Sequence, residues 1–132
     1  MKIVRGIAMA VLVFLCLSAI AGAVPMILDP SGRMMHMPLS LLEHSPFHTF
    51  LIPGIILLLA NGVLSLVVLV AAARRWPRYA WAVALQGCIL TGWIVVEVIL
   101  LHLLIWAHYV YGAIGLALIV LGLVLARESR TA

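Results

Sequence analysis

The architecture of this chain follows first from one apolar segment, residues 79–126: YAWAVALQGCILTGWIVVEVILLHLLIWAHYVYGAIGLALIVLGLVLA. The segment is 48 residues long, and Glu97 is its only charged residue. A membrane-spanning helix needs about 20 residues, so this length suits two crossings joined by a tight turn. Three aromatic residues cluster near the middle, as they do at membrane interfaces: Trp106, Tyr109 and Tyr111. We therefore expect a helical hairpin that turns near residues 102–108.

Two further apolar runs precede this hairpin, at residues 6–28 and 47–73. Of all 132 residues, 67% are hydrophobic and only 9% are charged, which is typical of an integral membrane protein and excludes a water-soluble globular domain of this size. We predict an all-α membrane protein of one domain, residues 1–132, folded as an up-down bundle of four transmembrane helices. The predicted spans are residues 7–27, 47–73, 79–102 and 107–126.

The N-terminal stretch MKIVRGIAMAVLVFLCLSAIAGAVPM also resembles a secretory signal peptide. Lys2 and Arg5 precede an apolar core, and Ala21-Gly22-Ala23 is similar to a cleavage site. However, the apolar run extends to Leu28, which is long enough to cross a membrane. We interpret this stretch as a retained first helix.

The basic residues predict the orientation of the bundle. With the N-terminus inside, seven of the eight lie on the inner side: Lys2, Arg5, Arg74, Arg75, Arg78, Arg127 and Arg130. Arg33 alone lies outside, so the positive-inside rule places both termini in the cytoplasm. The net charge of +4 then indicates contact with anionic lipid headgroups. It does not indicate nucleic acid, because no basic stripe carries interleaved aromatic residues.

The first outer loop, DPSGRMMHMPLSLLEHSPFH at residues 29–48, has the composition of a turn followed by a helix start. In residues 29–32, Asp and Ser can bond the local backbone, and Gly allows a positive φ. Residues 38–44 predict a short interfacial helix that lies on the outer surface or tucks between the spans. Ser45-Pro46 predicts the start of span two, and Pro53-Gly54 predicts a kink whose freed carbonyls a neighbouring helix must satisfy.

Polar residues inside the spans are the candidates for a site, because an ionisable group there costs roughly 3 kcal/mol and is seldom kept without a partner. Four residues of span three share one helical face: Gln86, Leu90, Trp93 and Glu97. Glu97 could make an interhelical hydrogen bond to Asn61, Gln86 or a kink carbonyl, or pair with His102, His48 or Arg33. Alternatively, Glu97, Asn61, Gln86 and Trp93 form a ligand or proton site.

All the histidines are predicted on the outer side: His36, His44, His48, His102 and His108. Together with nearby carboxylates they could bind zinc, and the adjacent methionines would suit copper(I). Paired histidines could also hold a haem iron, although no CxxCH motif is present. No HExxH occurs either, and interfacial histidines are common, so the sequence requires no cofactor. Cys16 and Cys88 form no CxxC pair and are expected to act as small apolar side chains.

Signals of enzymatic function are absent from the sequence. It contains no phosphate-binding glycine loop and no GxSxG motif, and the predicted cytoplasmic segments are too short for a catalytic domain. We therefore expect a protein that is not an enzyme.

A resemblance to a known group rests on residues 29–62. The shared framework is Asp29-Pro30-Ser31-Gly32, Pro38-Leu39, Leu41-Leu42, Pro46-Phe47, Phe50-Leu51-Ile52-Pro53-Gly54 and Asn61-Gly62. It resembles small bacterial four-span membrane proteins to which no activity is assigned, and the rest of the chain is similar only in hydrophobic architecture. The resemblance implies a four-helix fold in a bacterial inner membrane. The His and Met residues are not part of this framework.

The preferred hypothesis is a tetraspan protein that acts through helix–helix contacts, as an accessory subunit of a larger membrane complex or as a homo-oligomer. Small residues four apart permit such contacts in the pairs Gly6/Ala10, Ser18/Gly22, Ala113/Ala117 and Gly122/Ala126. The alternative is a small transporter or ligand-binding protein with a site in the outer half of the bundle around Glu97. A second alternative is metal or haem binding by the histidines. In each case the lipid bilayer is a partner and nucleic acid is not.

Overall fold

The structure, a computed structural model, describes residues 2–35, 38–42, 46–101 and 106–131, and within these ranges it is helical and contains no strand. Four helices are long and apolar enough to cross a membrane, as predicted. They are α1 (Lys2–Leu28), α2 (Leu51–Ala73), α3 (Tyr79–Leu101) and α4 (Trp106–Thr131).

The helices form a four-membered ring in which each contacts the two beside it. The hairpin of α3 and α4 has the most extensive interface, α1 packs on α2 and α4, and α2 packs on α3. Successive helices run in opposite directions, which is the predicted up-down order. Aliphatic residues from all four helices form the core: Ala8, Leu12, Leu15, Val68, Ala80, Val83, Leu90, Leu118, Leu125 and Ala126.

Glycines bring α3 and α4 together. A Cβ atom at Gly87 would lie 2.6 Å from the carbonyl oxygen of Gly115, and one at Gly122 would collide with the backbone of Ala84. Because glycine has only a hydrogen atom in place of a side chain, the two helix backbones can approach this closely. Small residues at helix–helix contacts are common in membrane proteins for this reason. Gly122 belongs to a small-residue pair predicted from the sequence, whereas Gly87 and Gly115 do not.

Helix α2 begins at Leu51, later than the predicted start at residue 47. Pro46 lies in a bend, Ser45 lies outside the described residues, and Phe50 occupies the N-cap position without a side-chain cap. Pro53 therefore falls in the first turn, where its missing N–H breaks no helical hydrogen bond. The irregularity predicted at Pro53-Gly54 is for this reason absent there, and residues 51–57 are regular α-helix.

The irregularity in α2 is a π-helical segment at Leu58–Val63. The N–H of Leu64 donates to the carbonyl of Leu59 across the widened turn. The Ser65 hydroxyl donates to the carbonyls of Asn61 at 2.5 Å and Gly62 at 2.8 Å. Such bulges often occur at functional sites. Here the segment contains Asn61, which is fully buried.

The turn after α1 has the predicted chemistry. Asp29 accepts hydrogen bonds from the Ser31 hydroxyl at 2.5 Å and the backbone N–H groups of Ser31 and Met34 at 3.3 and 3.1 Å. The bond from Ser31 is the main reason that the pKa of Asp29 lies below its ordinary value of 3.8. Gly32 adopts a φ of 82°, which completes the turn.

Short helical pieces follow this turn, at Arg33–Met35 and Leu39–Leu42. The second lies within the helix predicted for residues 38–44, and its Leu42 is buried against the bundle. The Phe50 N–H donates to the Pro30 carbonyl at 2.9 Å. This bond holds the end of the loop, just before α2, against the beginning of the loop, just after α1.

At the opposite end of the bundle, α2 stops in a Schellman motif. Arg75 has a φ of 52°, its N–H donates to the Ala72 carbonyl, and the Trp76 N–H donates to the Ala71 carbonyl. The Arg5 guanidinium donates to the Ala72 carbonyl at 3.0 Å and so joins α1 to this terminus. The basic residues consequently share one end of the bundle. They lie near the N-terminus, in residues 74–78 and near the end of α4.

Candidate functional site

An interhelical pair of amides connects the π-helical segment of α2 to α3. The side-chain nitrogen of Gln86 donates to the Ala60 carbonyl at 3.1 Å and to Asn61 Oδ1 at 3.3 Å. Asn61 and Gln86 are both fully buried. A neighbouring helix thus satisfies a carbonyl of the irregular segment, as expected, although this segment is not the one at Pro53-Gly54.

Each amide of this pair keeps one unused group. Among the described residues, Asn61 Nδ2 and Gln86 Oε1 have no hydrogen-bond partner. A buried polar atom without a partner costs free energy, and in a native fold it calls for an explanation such as a bound molecule. Asn61 therefore offers a hydrogen-bond donor to whatever lies beside it.

Glu97 pairs with a histidine of the next helix. Its Oε1 lies 3.6 Å from His108 Nε2, where His108 is 5% exposed and the Glu97 side chain is 33% exposed. Trp93 lies one turn earlier on the same helical face. Gln86 and Asn61 were predicted as hydrogen-bond partners of Glu97, but they bond one another, and His108 lies beside the carboxylate instead.

His108 lies in the first turn of α4, next to the predicted hairpin turn, and is buried beside Glu97 of α3. Its position on the outer side of the membrane stays a prediction. His48 is exposed, as expected for a loop residue, and His36, His44 and His102 lie outside the described residues. In the described ranges, no three His, Cys, Asp or Glu residues lie close enough to hold a metal ion.

A cavity of about 210 Å³ separates the amide pair from the Glu97–His108 pair. It lies between the helices in the half of the bundle that holds the loop of residues 29–50. Its wall combines leucine, isoleucine and alanine side chains with six residues that carry polar groups: Ser18, Asn61, Trp93, Glu97, His108 and Tyr111. Three of the four predicted ligand-site residues line it: Asn61, Trp93 and Glu97. The fourth, Gln86, does not line the cavity but donates a hydrogen bond to Asn61 Oδ1.

A second, larger cavity of about 660 Å³ adjoins the first. Its wall is almost wholly apolar and includes Leu42, Phe47 and Phe50 from the loop, together with residues of α1, α2 and α3. This volume falls within the roughly 300–1,000 Å³ that is usual for small-molecule sites. Four residues line both cavities and form their common wall: Gly22, Leu57, Trp93 and Glu97.

Two other polar residues within the spans, Ser65 and Thr91, bond carbonyls of their own helices. Ser65 bonds carbonyls of α2, and the Thr91 hydroxyl donates to the Gly87 carbonyl at 2.8 Å. Cys16 is buried and Cys88 is exposed, and both thiols are free.

Sequence reasoning missed three residues of the site: His108 as the partner of Glu97, Ser18 and Tyr111. Tyr111 was predicted at the membrane interface, which stays a prediction; its ring lines the smaller cavity and stacks on Phe14 of α1 with centroids 6.2 Å apart. The signal for His108 was present, because an acidic and a basic residue on either side of a short turn can meet in a hairpin. That signal was obscured by the four other histidines.

Comparison of the chain with protein-family models, with curated proteins and with solved structures finds no match. The residues of the site are therefore the basis for any statement of function.

Proposed function

We propose that this chain is a small, non-enzymatic four-helix membrane protein that binds a lipophilic small molecule in the half of the bundle around Glu97. The observation that carries the proposal is the position of Glu97 and Trp93 in the common wall of two mostly apolar cavities, the smaller of which also has several polar side chains in its wall. Ligand sites typically combine a mostly apolar wall with a few polar groups in this way.

The cost of keeping a carboxyl group within a membrane-spanning helix supports this function. Glu97 lines the two cavities and lies beside His108, which is the arrangement expected of a functional ionisable group. A purely structural role is met elsewhere in the bundle by the Gln86–Asn61 pair, which needs no charge. Besides its contact with His108, Glu97 lines both cavities, where its carboxylate can contact a ligand.

The orientation proposed for the bundle places this site on the outer side of a bacterial inner membrane. The basic residues that share the opposite end would face the cytoplasm, together with both termini. The helical turn Leu39–Leu42 would then lie at the outer interface, where buried Leu42 contributes to the wall of the larger cavity. A ligand would enter from the outer side or from the outer leaflet.

Filling the larger cavity tests the function. Gly92 lines this cavity, and a Cβ atom there meets nothing within 4 Å. Gly112 has the same open surroundings and lines neither cavity, so it serves as a matched control. Protein is purified from its own membrane, and the small molecules that accompany it are extracted and quantified by mass spectrometry.

We expect a compound in molar proportion to the wild-type protein, lost from Gly92→Leu by about tenfold or more and retained by Gly112→Leu. A wild-type protein without such a compound, or a Gly92→Leu variant that keeps it, would show that the cavities are not a binding site.

A second candidate is an accessory subunit of a larger complex, or a homo-oligomer. Two of the predicted small-residue pairs are exposed, so they point away from the centre of the bundle: Gly6/Ala10 and Ala113/Ala117. Such pairs allow another helix to approach closely. Native mass spectrometry of protein released from its membrane tests this: a defined multimer or a stoichiometric second chain supports it, and a monomer excludes it.

A further inference from the structure

A single acidic side chain lies in the walls of the two cavities. Among the described residues that line either cavity, Glu97 is the only carboxylic acid, and none is a lysine or an arginine. His108 lines the smaller cavity alone, so Glu97 is the only titratable side chain that these residues contribute to the larger one. Apolar surroundings strengthen the attraction of a carboxylate for a cation and its repulsion of an anion. The larger cavity therefore favours a positively charged ligand.

Trp93 places an aromatic ring beside this carboxylate. It precedes Glu97 by one helical turn in α3, and at this spacing two Cβ atoms lie roughly 5–6 Å apart. Both residues line both cavities, so a ligand group that contacts one can contact the other. The face of an indole ring attracts cations, and the attraction grows when water is excluded. The two neighbouring side chains thus favour the same kind of ligand group.

The scarcity of other polar groups in the larger cavity distinguishes between kinds of cation. A primary ammonium group has three hydrogen-bond donors, which lose their bonds to water when they enter an apolar space. Glu97 is the only strong acceptor among the described side chains of that wall, because the indole of Trp93 has only a donor. A quaternary ammonium group has no donor, so it meets the carboxylate and the ring without leaving one unsatisfied.

The rest of the larger cavity suits the hydrocarbon part of such a ligand. Its volume is about 660 Å³, and leucine, isoleucine, proline and phenylalanine side chains form most of its wall. An apolar body gains free energy by occupying this space in place of water.

From these observations we infer that the ligand is a lipophilic quaternary ammonium compound, whose cationic group lies against Glu97 and Trp93 and whose hydrocarbon part fills the larger cavity. The inference rests on the proposed function and specifies the chemical class of its ligand. Such a cation occurs both in free amphiphiles and in the headgroups of choline lipids.

The test compares four compounds that share a dodecyl chain. The protein is purified in dodecyl maltoside, which carries no charge, at pH 8, where carboxylates are usually ionised and imidazoles usually neutral. Binding of tritium-labelled dodecyltrimethylammonium, dodecylamine, dodecanol and dodecanoic acid is measured in excess over micelles without protein, at equal mole fraction in the micelle. We expect dodecyltrimethylammonium to bind at least about threefold tighter than dodecylamine. We expect it to bind at least about tenfold tighter than the alcohol and the acid, which corresponds to about 1.4 kcal/mol.

Dodecylphosphocholine, added as an unlabelled competitor, separates the two sources of the cation. Displacement of dodecyltrimethylammonium as strong as that by the unlabelled compound itself supports a choline lipid as the ligand. Weaker displacement supports a free cation, because the phosphate group of the lipid is repelled by Glu97.

Substitutions in α3 examine the two side chains directly. Glu97→Gln keeps the shape of the side chain and removes its charge, so we expect the quaternary compound to bind about tenfold more weakly and dodecanol to bind as before. Trp93→Leu should weaken the quaternary compound by about threefold or more. Trp81→Leu is the matched control, because Trp81 is exposed on the same helix and lines neither cavity. If Glu97→Gln does not fold, as judged by circular dichroism, the order of the four compounds on the wild-type protein still decides.

The outcomes distinguish this inference from the function on which it rests. Tightest binding of the amine, the alcohol or the acid, or a folded Glu97→Gln variant that keeps the wild-type order, would overturn the quaternary cation and leave a binding site in place. Absence of saturable binding for all four compounds would also overturn it. The proposed function is then decided separately by the compounds that accompany wild-type and Gly92→Leu protein.

Discussion

Individual polar residues in the spans have distinct roles, although they look alike in the sequence. Thr91 and Ser65 bond only their own helices, Gln86 joins α3 to α2, and Glu97 faces the cavities and His108. The helical face of Gln86, Trp93 and Glu97 was predictable, because these residues follow the helical period. Their partners were not, because pairing across helices depends on how the helices are rotated against one another.

The amide of Gln86 makes a prediction for stability. Gln86→Leu removes a buried donor and leaves the Ala60 carbonyl and Asn61 Oδ1 without it, so we expect a loss of about 1–3 kcal/mol. Unfolding of the purified protein in mixed detergent and sodium dodecyl sulfate measures this. Thr91→Val, which removes a bond within one helix, is the control and should cost less. Equal losses in the two variants would argue against a special role for the interhelical amide.

At the scale of the element, α2 differs most from its prediction. Proline and glycine at 53 and 54 predicted a break, but a helix that begins at Leu51 accommodates Pro53 in its first turn. The disturbance falls instead at Leu58–Val63, where Ser65 and Gln86 supply donors to the carbonyls of the segment. The donor from Gln86 comes from another helix, so propensity along the chain does not reveal this part of the arrangement.

The hairpin of α3 and α4 provides a prediction at the same scale. Gly87→Ala places a methyl group 2.6 Å from the Gly115 carbonyl oxygen. The methyl carbon is attached to one helix backbone and the oxygen belongs to the other, so neither can move away without moving its helix. We expect the helices to separate, with a loss of about 1–3 kcal/mol in the same unfolding assay. The matched control is Gly92→Ala on the same helix, where the methyl group meets nothing within 4 Å. A Gly87→Ala protein as stable as this control would contradict the close packing.

For the whole molecule, the distribution of charge separates the two ends of the bundle. Arg5 bonds the end of α2 beside residues 74–78, and the site lies at the opposite end with Glu97 and His108. Because arginine and lysine resist translocation, the basic end is proposed to remain in the cytoplasm.

Fusion proteins test this orientation. Green fluorescent protein and alkaline phosphatase are each fused, in separate variants, after Ala132. We expect the first to fluoresce and the second to be inactive, because both would remain in the cytoplasm. Alkaline phosphatase inserted between Arg33 and Met34 should be active. The reverse pattern would place the basic end outside and the site towards the cytoplasm.

Four features were predictable from the order of residues alone: the four apolar helices, their up-down order, the turn at Asp29 and the shared face of Gln86, Trp93 and Glu97. These features depend on local composition and on the helical period, which the order of residues contains directly. Three features became visible only in the folded bundle: the pairing of His108 with Glu97, the burial of Asn61 with one unused donor, and the large apolar cavity. Those features depend on the rotation and separation of packed helices, which are set by contacts between residues far apart in the chain.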